Sequence, residues 1–149
     1  MIETRHAINI HADKQTVWDV ISDIKCYPMW NPFVKSCKTT FEVGSPIKMR
    51  VYVLPWFAMP QRETILEYVE GEMVDYGFKL PLNVLHSSRK HILTAVDGET
   101  TKYESIHVLG GWLSPLVKLT LGRQLRRGFG DMADGIAERA EELADKKRR

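Results

Sequence analysis

A chain of 149 residues, 44% of them hydrophobic and 27% charged, with ten Gly and seven Pro, has the composition of a folded globular domain and not of a disordered or fibrous protein. Its 21 basic and 19 acidic residues leave a net charge of +2, too balanced to call for a DNA or RNA partner. A chain of this length buries roughly two-thirds of its unfolded surface, so a single domain over residues 1–149 needs neither disulfides nor a structural metal.

The two cysteines, Cys26 and Cys37, lack a second pair and C-x-x-C spacing, and read as incidental thiols of a reducing compartment. The first residues, Met1-Ile2-Glu3-Thr4-Arg5-His6, show no basic stretch followed by an apolar block. No apolar run approaches the roughly 20 residues that span a bilayer, so no transmembrane segment is expected and the predicted location is cytoplasmic.

In chain order, Glu3 to Ile10 alternates, with Thr4, His6, Ile8 and Ile10 on one side, and predicts a strand. Asp13 is a helix N-cap before Val17, Trp18, Ile21 and Ile24, which recur along one helical face. Pro28 and Pro32 then limit Cys26 to Pro32 to one more turn or a short second helix. Six further strands follow, near Lys35–Val43, Pro46–Leu54, Gln61–Val69, Met73–Lys79, Ser88–Val96 and Thr100–Leu109, separated by turn residues such as Gly44-Ser45 and Asp97-Gly98. Ile47, Met49, Val51 and Val53 alternate with Lys48, Arg50 and Tyr52, the pattern of a sheet with one apolar and one wet face.

After Gly110-Gly111, the stripe Val117, Leu121, Leu125, Phe129, Met132, Ile136, Ala140 and Leu143 predicts one helix from Ser114 to Asp145, followed by a basic tail at Lys146 to Arg149. At 1.5 Å per residue it is on the order of 45 Å long. Leu125, Phe129 and Met132 fall on its inward face, and Arg126, Arg127 and Asp131 on its outward face. Gly122, Gly128, Gly130 and Gly135 each cost about 1 kcal/mol relative to Ala within a helix and need a reason. Either they permit a bend and close packing, or they keep the helix from filling the space beneath it.

The Ala12-Asp13-Lys14-Gln15-Thr16-Val17-Trp18 segment, Asp23, the Tyr27-Pro28-Met29-Trp30-Asn31-Pro32-Phe33 segment, Val43-Gly44 and Gly110 to Pro115 together resemble the START-related, birch-pollen-allergen-like superfamily, and within it the polyketide cyclase/dehydrase-like group known as SRPBCC. The resemblance runs from about Glu3 to Glu142 and is loose between Leu54 and Pro60. It implies an α+β helix-grip fold: a seven-stranded curved antiparallel sheet wrapped around a long C-terminal helix, with two short helices after the first strand. It also implies an apolar cavity for a hydrophobic small molecule, whereas the residues alone favour a dense core. Carried onto this sequence, the ligand-binding set is Trp30, Phe33, Met49, Val51, Tyr68, Tyr76, Phe78, His107, Leu125, Phe129 and Met132.

Enzymes of this superfamily cyclise or dehydrate, which needs an acid or base in an apolar pocket. Here the candidates are Glu63, Tyr68, Tyr76, Glu104 and His107, none in a distinctive spacing. His6, His11, His86, His91 and His107 show neither H-E-x-x-H nor a helical pair, so no metal and no cofactor is expected. The apolar Pro55-to-Pro60 segment, with Trp56 and Phe57, is a candidate lid beside Trp30 and Phe33. Three functions remain open: binding of a lipid, aromatic or polyketide-like molecule; an aromatase, cyclase or dehydratase acting on one; or an interaction module using the basic stretch Lys118 to Arg127 and the terminal Lys-Arg cluster.

Overall fold

The computed structural model describes residues 1–149. Strand β1 (Ile2–Ile10) leads into helix α1 (Lys14–Ser22), a single 3-10 turn at Ile24–Cys26 and helix α2 (Tyr27–Trp30). Six strands follow: β2 (Val34–Thr39), β3 (Pro46–Leu54), β4 (Phe57–Val69), β5 (Met73–Lys79), β6 (His86–Ala95) and β7 (Thr101–Gly110). Helix α3 (Ser114–Arg148) closes the chain. All seven strands form one antiparallel sheet in the order β1-β7-β6-β5-β4-β3-β2, the helix-grip architecture. No helix is long and apolar enough to cross a membrane.

Local chemistry accounts for the elements. Asp13 caps α1, its carboxylate accepting from the Thr16 amide at 3.2 Å and the Thr16 hydroxyl at 2.5 Å. The Tyr27-Pro28-x-Trp30-Asn31-Pro32 corner is held at both ends: the buried Tyr27 hydroxyl donates to the Ile21 carbonyl, and Asn31 Oδ1 accepts from the amides of Phe33 and Val34 at 3.0 and 2.8 Å. That pairing turns the chain into β2 and aims Phe33 at α3.

Alternation sets the faces of the sheet. Ile47, Met49, Val51 and Val53 of β3 are buried, as are Tyr103, Ser105, His107 and Leu109 of β7. Irregular registers near Ser36, Val51 and Ile65 bend the sheet, as bulges do. Its concave face receives α3 through Phe129, Met132, Ala133, Ile136 and Ala140, all in the core.

Three boundaries differ from the sequence expectation by three residues or more. β2 ends at Thr39, and Phe41 takes a positive φ of 60°. α3 runs past Asp145 to Arg148; Lys146, Lys147 and Arg148 form its last turn, where cations suit the helix dipole, and Lys147 reaches the Thr16 hydroxyl at 2.8 Å. The Pro55-to-Pro60 segment is not a lid loop. Leu54 pairs with Phe57, so Pro55-Trp56 is a tight turn and Phe57 to Pro60 is strand. Pro60 is tolerated because β4 pairs with β5 only from Thr64 onward, leaving that side of β4 without a ladder to break.

Two of the helix glycines, Gly128 and Gly135, serve close packing. A Cβ at Gly128 would stand 2.3 Å from the Phe33 ring and one at Gly135 3.1 Å from Pro32 and 3.3 Å from Trp30, so neither faces empty space. The idea that glycines hold the helix away from the space below is therefore overturned at these positions: side chains from the β2 end of the sheet already fill it.

Candidate functional site

Between the concave face and the first half of α3 lies a cavity of about 210 Å³. The β4–β5 ladder stops at Thr64, so Met59, Gln61 and Glu63 of β4 separate from Phe78 of β5, and the interior between them stays open. β3 supplies Met49, Val51 and Val53, and α3 supplies Val117, Leu121, Leu125 and Phe129. The walls are mainly hydrophobic, with thirteen of eighteen lining residues of that kind. That ratio decides the character of the occupant, because water gains few partners on such walls.

Of the residues anticipated from sequence, Phe33, Met49, Val51, Tyr76, Phe78, His107, Leu125 and Phe129 line this space. Trp30, Tyr68 and Met132 do not. Trp30 stands edge-on to Tyr27 at 5.3 Å, beneath Gly135. Tyr68 packs at the α1 end of the sheet, 5.8 Å from Trp18 and stacked on Phe41 at 5.5 Å. Met132 is buried behind the wall, where its sulfur accepts from Arg89. Among the acid–base candidates, Glu104 is on the outer face, paired with Arg5 at 3.6 Å and Lys102 at 3.9 Å. Trp56 (77% exposed) and Phe57 sit at the hairpin tip, outside the lining.

Five polar side chains interrupt the apolar walls: Gln61, Glu63, Ser87, Arg89 and His107, with the Tyr76 hydroxyl nearby. Glu63 is 8% exposed, and burial pushes its carboxyl up to about 7 despite the attraction of Arg89. Burial likewise holds His107 down to about 4, so its ring is neutral; its Nε2 meets the Ser87 hydroxyl at 2.9 Å and its face lies 4.5 Å from Phe129. Behind this row, His91 joins two buried phenols, with Nε2 2.9 Å from the Tyr76 hydroxyl and Nδ1 2.5 Å from that of Tyr103. Desolvation keeps His91 well below its ordinary value and Tyr76 and Tyr103 above theirs, so the three form a neutral, hydrogen-bonded strut.

Arg89, Gln61 and Ser87 were missed in the sequence. The stretch Ser87-Ser88-Arg89-Lys90-His91 is polar on both faces, so alternation gives no sign of which residue turns inward. The signal that could have found Arg89 is its parity with Leu93, the one strongly apolar residue of β6 that is buried. The basic residues Lys118, Arg123, Arg126 and Arg127 are all exposed on α3, beside Trp112, Leu116 and Leu119.

The model of the family described as "Polyketide cyclase / dehydrase and lipid transport" matches residues 1–141. The chain belongs to that family. Similar solved structures include a point mutant of norcoclaurine synthase from Thalictrum flavum in complex with a transition-state analogue, with a TM-score of 0.70 at 12% identity over 99% of this chain and 96% of that one. Another is the Zhui aromatase/cyclase from Streptomyces sp. R1128, with a TM-score of 0.67 at 16% identity over 99% and 96% of the two chains. A START superfamily protein from Mycobacterium smegmatis gives a TM-score of 0.68 at 13% identity over 97% and 98%. At these identities the likeness is one of fold.

The GTPase Der proteins of two Prochlorococcus marinus strains, AS9601 and MIT 9215, are 30% identical to it over 101 residues, 68% of this chain. The chain spans only 20% of the length of these curated relatives, and it carries no G-x-x-x-x-G-K-[S/T] phosphate loop.

Proposed function

We propose that this member of the polyketide cyclase/dehydrase family binds a small apolar molecule, of lipid, aromatic or polyketide-like type, in the cavity between the sheet and α3. The observation that carries the reading is the cavity itself, about 210 Å³ walled mainly by hydrophobic side chains. A chain selected only to fold would close it with larger side chains at Val51 or Leu121. The test is native mass spectrometry of purified protein, followed by titration with naphthalene. A retained hydrophobic mass, or saturable naphthalene uptake, is expected; a chain that holds no added mass and takes up no naphthalene refutes the reading.

A second reading, an aromatase, cyclase or dehydratase acting on the same ligand, is favoured by Glu63. A carboxyl held at about 7 within an apolar cavity suits proton transfer near neutral pH. Turnover of a poly-ketone substrate by the wild type and its loss in Glu63→Gln would establish it; unchanged turnover in that variant would remove Glu63 from the chemistry.

A further inference from the structure

We propose that Arg89 is an anchor for an anionic head group, and that the ligand of this cavity is a small amphipathic carboxylate. The inference rests on the cavity-binding reading and adds the charge and size of the occupant.

Arg89 projects from β6 near the middle of the sheet and is 4% exposed, with its side chain in the cavity lining. Its guanidinium carbon lies 4.5 Å from the centre of the Phe129 ring and 5.7 Å from that of Phe33. Nη2 donates to the Met132 sulfur at 3.0 Å, and the Tyr103 hydroxyl lies against the same group. Nε is buried and donates to nothing.

None of the ion pairs in the structure involves Arg89. The single carboxyl in the cavity lining is Glu63, which stands beyond ion-pair distance and which burial keeps partly protonated at neutral pH. A guanidinium is a permanent cation in proteins. Two aromatic faces, a thioether and a phenol hydroxyl are weak compensation for a cation removed from water, since a buried charge without an oppositely charged partner is costly. The other lining groups add donors and no negative charge: His107 is neutral, Ser87 is a hydroxyl and Gln61 an amide. Arg89 therefore has no carboxylate within ion-pair distance, and the planar fork of a guanidinium matches a carboxylate in two-point geometry.

Volume sets the other half of the inference. A cavity of about 150 Å³ takes benzene. The roughly 60 Å³ of additional space here suits one aromatic ring with a short acidic side chain, or two fused rings bearing a carboxylate. Long-chain lipids and four-ring polyketides exceed it in this conformation.

The matched probes are 2-naphthoate and 2-naphthylmethanol, alike in shape and different in charge, titrated calorimetrically into wild type, Arg89→Met and Arg89→Lys at pH 6, where Glu63 is mostly protonated. Wild type is expected to bind the carboxylate at least tenfold more tightly than the alcohol. Arg89→Met is expected to lose that preference, and Arg89→Lys to retain part of it. Equal or weaker binding of naphthoate by wild type overturns the anion assignment and leaves the cavity reading intact, and does so even if the variants fail to fold. A preference that persists in Arg89→Met overturns Arg89 as the anchor. Binding of neither probe by wild type overturns both readings.

Discussion

Replacing Glu63 with Gln removes a titrating group and little volume, and the structure sets the size of the effect. The Glu63 carboxyl has an ordinary value of 4.5 and is raised by burial to about 7 in the folded chain. The folded state thus holds the proton more tightly than the unfolded state, so the stabilisation is fully present below 4.5 and is lost as pH rises through about 7. At about 1.4 kcal/mol per tenfold change, that interval amounts to about 3 kcal/mol at pH 8 or above.

His107 works the other way. Its folded value of about 4 lies below 6.5, so its contribution is present above 6.5 and lost as pH falls through about 4; His91, also lowered, has the same sign. The two windows overlap between 4.5 and 6.5, where the Glu63 and His107 contributions change in opposite directions. The difference between Glu63→Gln and wild type cancels the histidine contributions, because both chains share them. Denaturant unfolding at pH 5, 6, 7 and 8 should show the variant gaining on wild type by about 2 kcal/mol across the series, whatever constant offset the new amide introduces. A difference that is flat with pH, or that falls, would refute the claim that burial outweighs the attraction of Arg89 at Glu63.

Leu125→Trp should fill the cavity from α3 and reduce naphthalene affinity at least tenfold, with stability changed by less than about 1.5 kcal/mol, as fluorescence titration and urea unfolding would report. Gly128→Leu should instead destabilise by about 1–3 kcal/mol or more, because its new Cβ meets the Phe33 ring at 2.3 Å; unaltered unfolding would show that Phe33 has room to move. Asn31→Ala leaves the amides of Phe33 and Val34 without their acceptor and should cost about 1–3 kcal/mol in the same unfolding assay. The Cys26→Ser, Cys37→Ser double variant should unfold cooperatively within about 1–2 kcal/mol of wild type, and the Cys37 thiol, pushed up to about 12 by burial, should resist alkylation at pH 8 in the native chain.

Periodic and local features were legible in the sequence because their physics is local. The inward row Ile47, Met49, Val51 and Val53 follows from the two-residue repeat of a strand, and the Leu125–Phe129–Met132 face from the helical repeat. Asp13 could be assigned as a cap, and the Tyr27–Asn31 corner stood out because Pro28 and Pro32 restrict that backbone. The α3 stripe nevertheless could not separate Leu125 and Phe129, which face the cavity, from Met132, which lies behind it. All three have the same polarity and spacing, and the distinction depends on where opposing strands end.

The polar content of the cavity was hidden for a related reason. Facing on β6 is set by its register with β5 and β7, which pairs Arg89 with Tyr76 and His107, and no pattern within Ser87-Ser88-Arg89-Lys90-His91 encodes that choice. Glu63 and Glu104 are chemically alike as letters, yet one lies inside at about 7 and the other outside between Arg5 and Lys102. Alternation along a strand specifies which residues share a face, whereas pairing across the sheet and the stop in the β4–β5 ladder at Thr64 specify which face encloses a space and how deeply a charge is withdrawn from water. Burial is a property of assembled neighbours distant in sequence, so the same side chain becomes a surface ion-pair partner in one place and a partly protonated acid in another.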